Sequence, residues 1–140
     1  MARDEKQALL RRIPLFSNFG GRQLERLGSL ADEVDVPDGK VLMRQGEIGN
    51  DMMILVSGQV AVERDDVRVN TLGPGDFFGE IALVDEGPRT ATVTTEGPGR
   101  LLVIGHRDFH SMMEEFPEVA DQVMRALANR LRTLEPDAVH

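Results

Sequence analysis

The sequence predicts a mainly β unit flanked by helices, and three observations carry that expectation. From Ala31 to Ile104 short apolar segments are punctuated by turn residues. On both sides of this region leucines, valines and methionines recur at helical spacing. Within it, Gly75–Ala91 reads GDFFGEIALVDEGPRTA, where the strand pattern breaks for a glycine-framed turn, one buried-looking acid and an arginine behind a proline.

The N-terminal part is helical by composition. Asp4–Arg11 places Leu9 and Leu10 on one side, and Ile13, Leu15, Phe16 and Phe19 form an apolar knot around Pro14. Gly20-Gly21 breaks the chain before Leu24, Leu27 and Leu30 resume a helical period. In the β region, Val34 and Val36 alternate with acids before the turn Pro37-Asp38-Gly39. The strands expected next are Lys40–Arg44, Met52–Ser57, Val60–Glu63 and Val67–Leu72. Thr90–Thr95 and Arg100–Ile104 then flank a turn at Gly97-Pro98-Gly99. About eight short strands at near-regular spacing argue for a closed or nearly closed all-β unit. Two helices end the chain. Phe109, Met112, Met113 and Phe116 share one face of the first, which reads as core. Pro117 suits the first position of the second, where Val119, Val123, Leu127, Leu131 and Leu134 run at spacings of three and four. The expected organisation is one domain over 1–135: helices in 1–30, strands in 31–105 and helices in 106–135, with 136–140 as a tail.

Composition narrows the function. A net charge of −8 opposes non-specific nucleic-acid binding, which needs a basic surface to displace counterions. No segment reads as a basic recognition helix after the last helix. The absence of cysteine excludes disulfides and thiolate metal sites. MARDEKQALLRR carries no apolar leader, and the longest uninterrupted apolar run is Met52–Val56, so the expected location is the cytoplasm. His106, His110 and Glu114 fall at i, i+4 and i+8, a spacing that also arises on solvated faces; no metal is expected there. No nucleophile–base constellation stands out, and no histidine lies in the strand region to hold a catalytic metal, so the chain is not expected to be an enzyme.

The chemistry concentrates in the interrupting stretch. Gly79-Glu80-Ile81-Ala82-Leu83 suits a single helical turn directly after an extended segment. The first N–H groups of such a turn lack internal partners and attract anions. Arg89 follows Glu80 by nine residues and carries a guanidinium suited to a bidentate grip on phosphate. Separately, Glu80 would be an ordinary acid near a helix start and Arg89 a surface residue. Together they pose a conflict, because the acid would repel the anion. A carboxylate accepting from a sugar hydroxyl resolves it, and the stretch reads as a pocket for a ribose bearing a phosphate. Gly79 is where bulk would keep that ligand from the backbone.

Phe78-Gly79-Glu80-Ile81-Ala82-Leu83 followed by Pro88-Arg89-Thr90-Ala91 resembles the phosphate-binding cassette of the cyclic nucleotide-binding domain family. The resemblance extends through Gln45-Gly46-Glu47, Gly49, Val56–Val60 and Leu101–Phe109, and so covers most of the chain. It implies an eight-stranded antiparallel β-roll, jelly-roll-like, with N-terminal helices and two C-terminal helices. It implies that Glu80 accepts from the ribose 2′-hydroxyl and that Arg89 pairs with the cyclic phosphate. Backbone N–H groups near Gly79, Ile81, Ala82 and Thr90 would assist, and Val62 and Val69 would wall the base. Arg130 or Leu127 of the last helix would cap it. The expected ligand is cAMP, with cGMP the alternative because Thr90 offers a hydroxyl to a guanine. The expected role is a sensor whose flanking helices shift on binding and act on an effector, as a monomer or a weak dimer along the last helix. A domain that keeps the roll but no longer binds ligand is the competing expectation.

Overall fold

The computed structural model describes residues 1–134. Helix α1 (Arg3–Arg11), a 3-10 turn (Pro14–Phe16) and helix α2 (Gly21–Leu30) precede strand β1 (Asp32–Val36). Then come β2 (Val41–Met43), β3 (Asp51–Arg64), β4 (Val67–Leu72) and β5 (Phe77–Phe78). A 3-10 helix (Glu80–Leu83), β6 (Thr92–Gly105), α3 (His106–Glu115) and α4 (Pro117–Leu134) complete the described residues. The expected tail, 136–140, lies outside the described residues, as do the side chains of Leu131 and Leu134.

Six strands form one antiparallel sheet in the order β1-β6-β3-β4, with β2 also on β6 and β5 also on β3. The short strands expected on either side of Gly58 are one strand, β3, and those on either side of Gly97-Pro98-Gly99 are one strand, β6. Both glycine sites bend a strand instead of ending it. The β3–β6 register shifts between Leu55 and Ser57 and again between Ser57 and Gln59, the mark of bulges that curl a sheet into a roll. Gly58 is required there: its φ is +92°, and an added Cβ would lie 2.9 Å from both the Gly99 Cα and the Pro98 carbonyl oxygen. Gly58→Ala is therefore expected to cost about 2–4 kcal/mol, from left-handed strain plus a backbone clash, measured as a lower urea midpoint at unchanged slope.

Alternation along β3 and β6 sorts the core into two layers. Met52 and Ile54 face the helices, whereas Met53 and Leu55 face the inside of the roll. On β6, Leu102 and Ile104 pack with the helices, and Leu101 and Val103 pack inside. Burial on both faces explains why Met52–Val56 is continuously apolar instead of alternating with polar residues. The helical layer brings together Leu10, Phe16, Leu24, Leu27, Phe109, Met112, Val119 and Val123. Phe109 and Met112 are fully buried, and Met113 and Phe116 pack at the edge, as their shared face predicts. Gln23, nearly buried, receives a bond from the Gly20 amide (2.8 Å) and donates to Glu118 at the start of α4 (2.6 Å), so α2 is tied to α4. Among the described residues, no helix is long and apolar enough to cross a membrane.

Candidate functional site

β5 pairs with β3 through Met53–Phe78 and Ile54–Phe77, and this delivers the chain to Gly79. Gly79 turns into the left-handed region (φ +77°), and Glu80–Leu83 follows as one turn of 3-10 helix. The turn is pinned from its apolar side, since Leu83 is buried in the helical core, while Ile81 stays exposed. Ala82 N–H donates to the Gly79 carbonyl (3.1 Å), so this amide is already engaged inside the turn.

The return segment is held by the loop between β2 and β3. Arg89 N–H donates to the Glu47 carbonyl (2.7 Å), Gly46 N–H to the Arg89 carbonyl (2.9 Å) and Gly49 N–H to the Gly87 carbonyl (2.9 Å). Ile48 also pairs with Pro88 as an isolated bridge. Gly46, Glu47 and Gly49 are thus the backbone cradle of the arginine segment.

All six cassette residues singled out in the sequence, Gly79, Glu80, Ile81, Ala82, Arg89 and Thr90, line one cavity of about 210 Å³. Met43, Asp85, Gly87 and Pro88 complete its wall. Val62 and Val69 are not among its lining residues. Val62 packs at the edge of the inner core. Val69, half exposed, falls at a register shift, because Val62 pairs with Asn70 but Glu63 with Arg68.

Glu80 and Arg89 are each met by an internal counter-ion. Arg89 donates through Nη2 to Asp51 Oδ1 (2.6 Å) and through Nη1 to the Asp51 carbonyl (2.9 Å), with its side chain only 9% exposed. The guanidinium lies in a slot made by two glycines. A Cβ on Gly49 would sit 2.3 Å from Arg89 Nε, and one on Gly79 would sit 2.7 Å from Nη1. Gly79 therefore makes room for the arginine, a reason for glycine that the sequence reading did not include. Glu80 accepts a close hydrogen bond from Nη1 of Arg130 on α4, and that guanidinium lies over the Phe77 ring, 4.8 Å from its centroid. Leu127, the other residue considered as a base cap, packs against the helical core.

Sequence reasoning missed Asp51, Met43 and the role of Gly49, because no local pattern separates a strand-opening aspartate from any other. His106 and His110 lie with ring centroids 4.1 Å apart and planes tilted by 38°, and among the described residues no group of three or more His, Cys, Asp or Glu could hold a metal.

The family model described as "Cyclic nucleotide-binding domain" matches residues 33–116. A CRP-like cAMP-activated global transcriptional regulator of Mycobacterium tuberculosis is 34% identical over 129 residues, covering 89% of this chain and 58% of the regulator. The chain thus spans little more than half the length of that relative. Among solved structures, the N-terminal domain of a transcriptional regulator from Streptomyces coelicolor superposes with a TM-score of 0.83 at 33% identity, covering 94% of this chain and 96% of that one. The regulatory domain of Toxoplasma gondii PKA, crystallised with cAMP, superposes with a TM-score of 0.73 at 29% identity over 79% of this chain and 44% of its own.

Proposed function

The chain belongs to the cyclic nucleotide-binding domain family, and from that premise we propose that it is a cAMP sensor whose cassette controls the docking of α4. One observation carries the reading. Glu80 and Arg89 line a common cavity, and each is held by a counter-ion that a ribose phosphate could replace. The cyclic phosphate would take the guanidinium of Arg89, with the Gly79, Ile81 and Thr90 amides close by. The ribose 2′-hydroxyl would donate to Glu80. A base extending from the cavity toward β4 would meet Val62 and Val69. The relatives' names support cAMP, and Thr90 on the cavity wall keeps cGMP as the second ligand to test.

Arg130 makes the site more than a receptacle. Glu80 is shared between the cavity and α4, so nucleotide and helix address the same carboxylate. Binding energy reaches a partner only through different affinity for two helix arrangements, and this shared acid supplies such a difference. Relatives are named as a transcriptional regulator, a cyclic nucleotide-gated potassium channel and the regulatory domain of a kinase, so the effector this chain would act on is left open by the names.

Calorimetric titration with cAMP and cGMP tests the binding directly. Low-micromolar or tighter affinity for cAMP is expected, in line with one charge-assisted pair plus several amide contacts, each charged bond contributing roughly 1.5–3 kcal/mol. No heat with either nucleotide, once bound nucleotide has been excluded by extraction, would leave the roll as an interaction surface only. For the relay, Arg130→Ala is expected to speed amide exchange in Val119–Leu134 about tenfold in the nucleotide-free chain, the equivalent of one partly screened charged bond. The exchange change that cAMP causes in α4 should shrink in the same variant. Unaltered exchange in α4 on saturation of the wild type would sink the relay.

A further inference from the structure

His106, the first residue of α3, joins three parts of the molecule. Its backbone N–H donates to the Asn50 carbonyl (2.8 Å), next to the Asp51 that holds Arg89. Its Nδ1 lies 2.6 Å from the carbonyl oxygen of Ala82 in the cassette turn, and its Nε2 lies 3.5 Å from a carboxylate oxygen of Glu86 in the cassette loop. The ring is largely enclosed, with 19% of the side chain exposed. A carbonyl and a carboxylate only accept, so both ring nitrogens face acceptors. A neutral imidazole carries one N–H and can donate it to Ala82, which lies at hydrogen-bond distance; the imidazolium adds the positive charge that makes the 3.5 Å approach to Glu86 an ion pair.

We propose that His106 is a positioning residue that ties the anion-binding turn to α3, and that the tie is complete only when the imidazole is protonated. The proposal rests on the cyclic-nucleotide reading of the cassette and adds a proton to its regulation. A turn held in shape before the ligand arrives loses less freedom on binding, so affinity follows the tie. Because a cation at a helix N-terminus opposes the dipole, the imidazolium depends on its two acceptors staying in place. That dependence links the cassette to the helix leading into α4. The groups sharing the cavity around the ring are Asp32 from β1, Asp51 from β3, Glu86 from the cassette loop, and Arg107, Asp108 and His110 from α3 itself. His110, whose tilted ring lies 4.1 Å away, is a second imidazole beside it and needs its own control.

Two measurements decide it. The first needs no ligand: at one fixed pH below the imidazole range, amide exchange at Val84 and Asp85 is compared across variants, since both amides close the turn onto the Ile81 carbonyl (3.1 and 2.9 Å). His106→Ala is expected to speed their exchange about tenfold. His106→Asn, whose side-chain amide reaches Ala82 but not Glu86, should fall between the two. Equal exchange in all three proteins overturns the tie whether or not nucleotide binds. The second is cAMP affinity as the pH rises through the imidazole range, about 5 to 8. Wild type and His110→Asn are expected to weaken about three- to tenfold, with proton uptake on binding seen as heat that varies with buffer ionisation enthalpy. His106→Asn should show a flat profile and no uptake. A flat wild-type profile, or one that flattens in His110→Asn instead, overturns the proton dependence. Absence of binding by the wild type at every pH would count against the cyclic-nucleotide reading, while the exchange result still decides the tie.

Discussion

Arg89→Ala is expected to weaken cyclic nucleotide binding at least about 100-fold, close to 3 kcal/mol, with the domain still folded. Two effects add. The charged fork for the phosphate disappears, and the Asp51 carboxylate it neutralised is left at the site to repel the incoming anion. Arg89→Lys should recover little, because an ammonium cannot offer a phosphate the two parallel donors of a planar fork. Calorimetry on the purified variants measures the loss, and thermal unfolding checks the fold, where losing the partly exposed pair should cost about 1–2 kcal/mol. Binding within threefold of wild type would place the phosphate away from Arg89.

Gly49→Ala is expected to lower affinity almost as far, about 10- to 100-fold, although Gly49 does not line the cavity. The added methyl would sit 2.3 Å from Arg89 Nε and 2.5 Å from Cζ, so the guanidinium must leave its slot. Gly49 has no positive φ, unlike Gly79, so this substitution tests the slot without backbone strain. Gly79→Ala combines both, and should lose binding and also about 1–2 kcal/mol of stability. Wild-type affinity in Gly49→Ala would show that Arg89 binds phosphate from a different rotamer, and that its pairing with Asp51 is not the poised arrangement.

The cassette was legible in the sequence because it is local. Gly79–Ala82 and Arg89-Thr90 lie within a dozen residues of chain, and their chemistry follows from side-chain type, turn conformation and spacing. The flanking helices were legible for the same reason, their apolar periods being written along the chain. Strand boundaries were less so. A glycine with positive φ ends a strand or bends it depending on the partner strand, and in the pairing of β3 with β6 Gly58 bends it.

The partners of the site belong to the fold alone. Asp51 reaches Arg89 across 38 residues, Arg130 reaches Glu80 across 50, and His106 reaches Ala82 across 24. Each is an ordinary residue where it stands in the chain: an acid opening a strand, an arginine on an amphipathic helix, a histidine at a helix start. Residue type and local spacing therefore specify the glycine-framed turn, its acid and its arginine. Which groups meet the charges of Glu80 and Arg89, and which helix supplies them, is settled only when the roll closes and brings distant segments within hydrogen-bond reach, since pairwise electrostatics depends on distance in space and leaves no periodic trace in sequence.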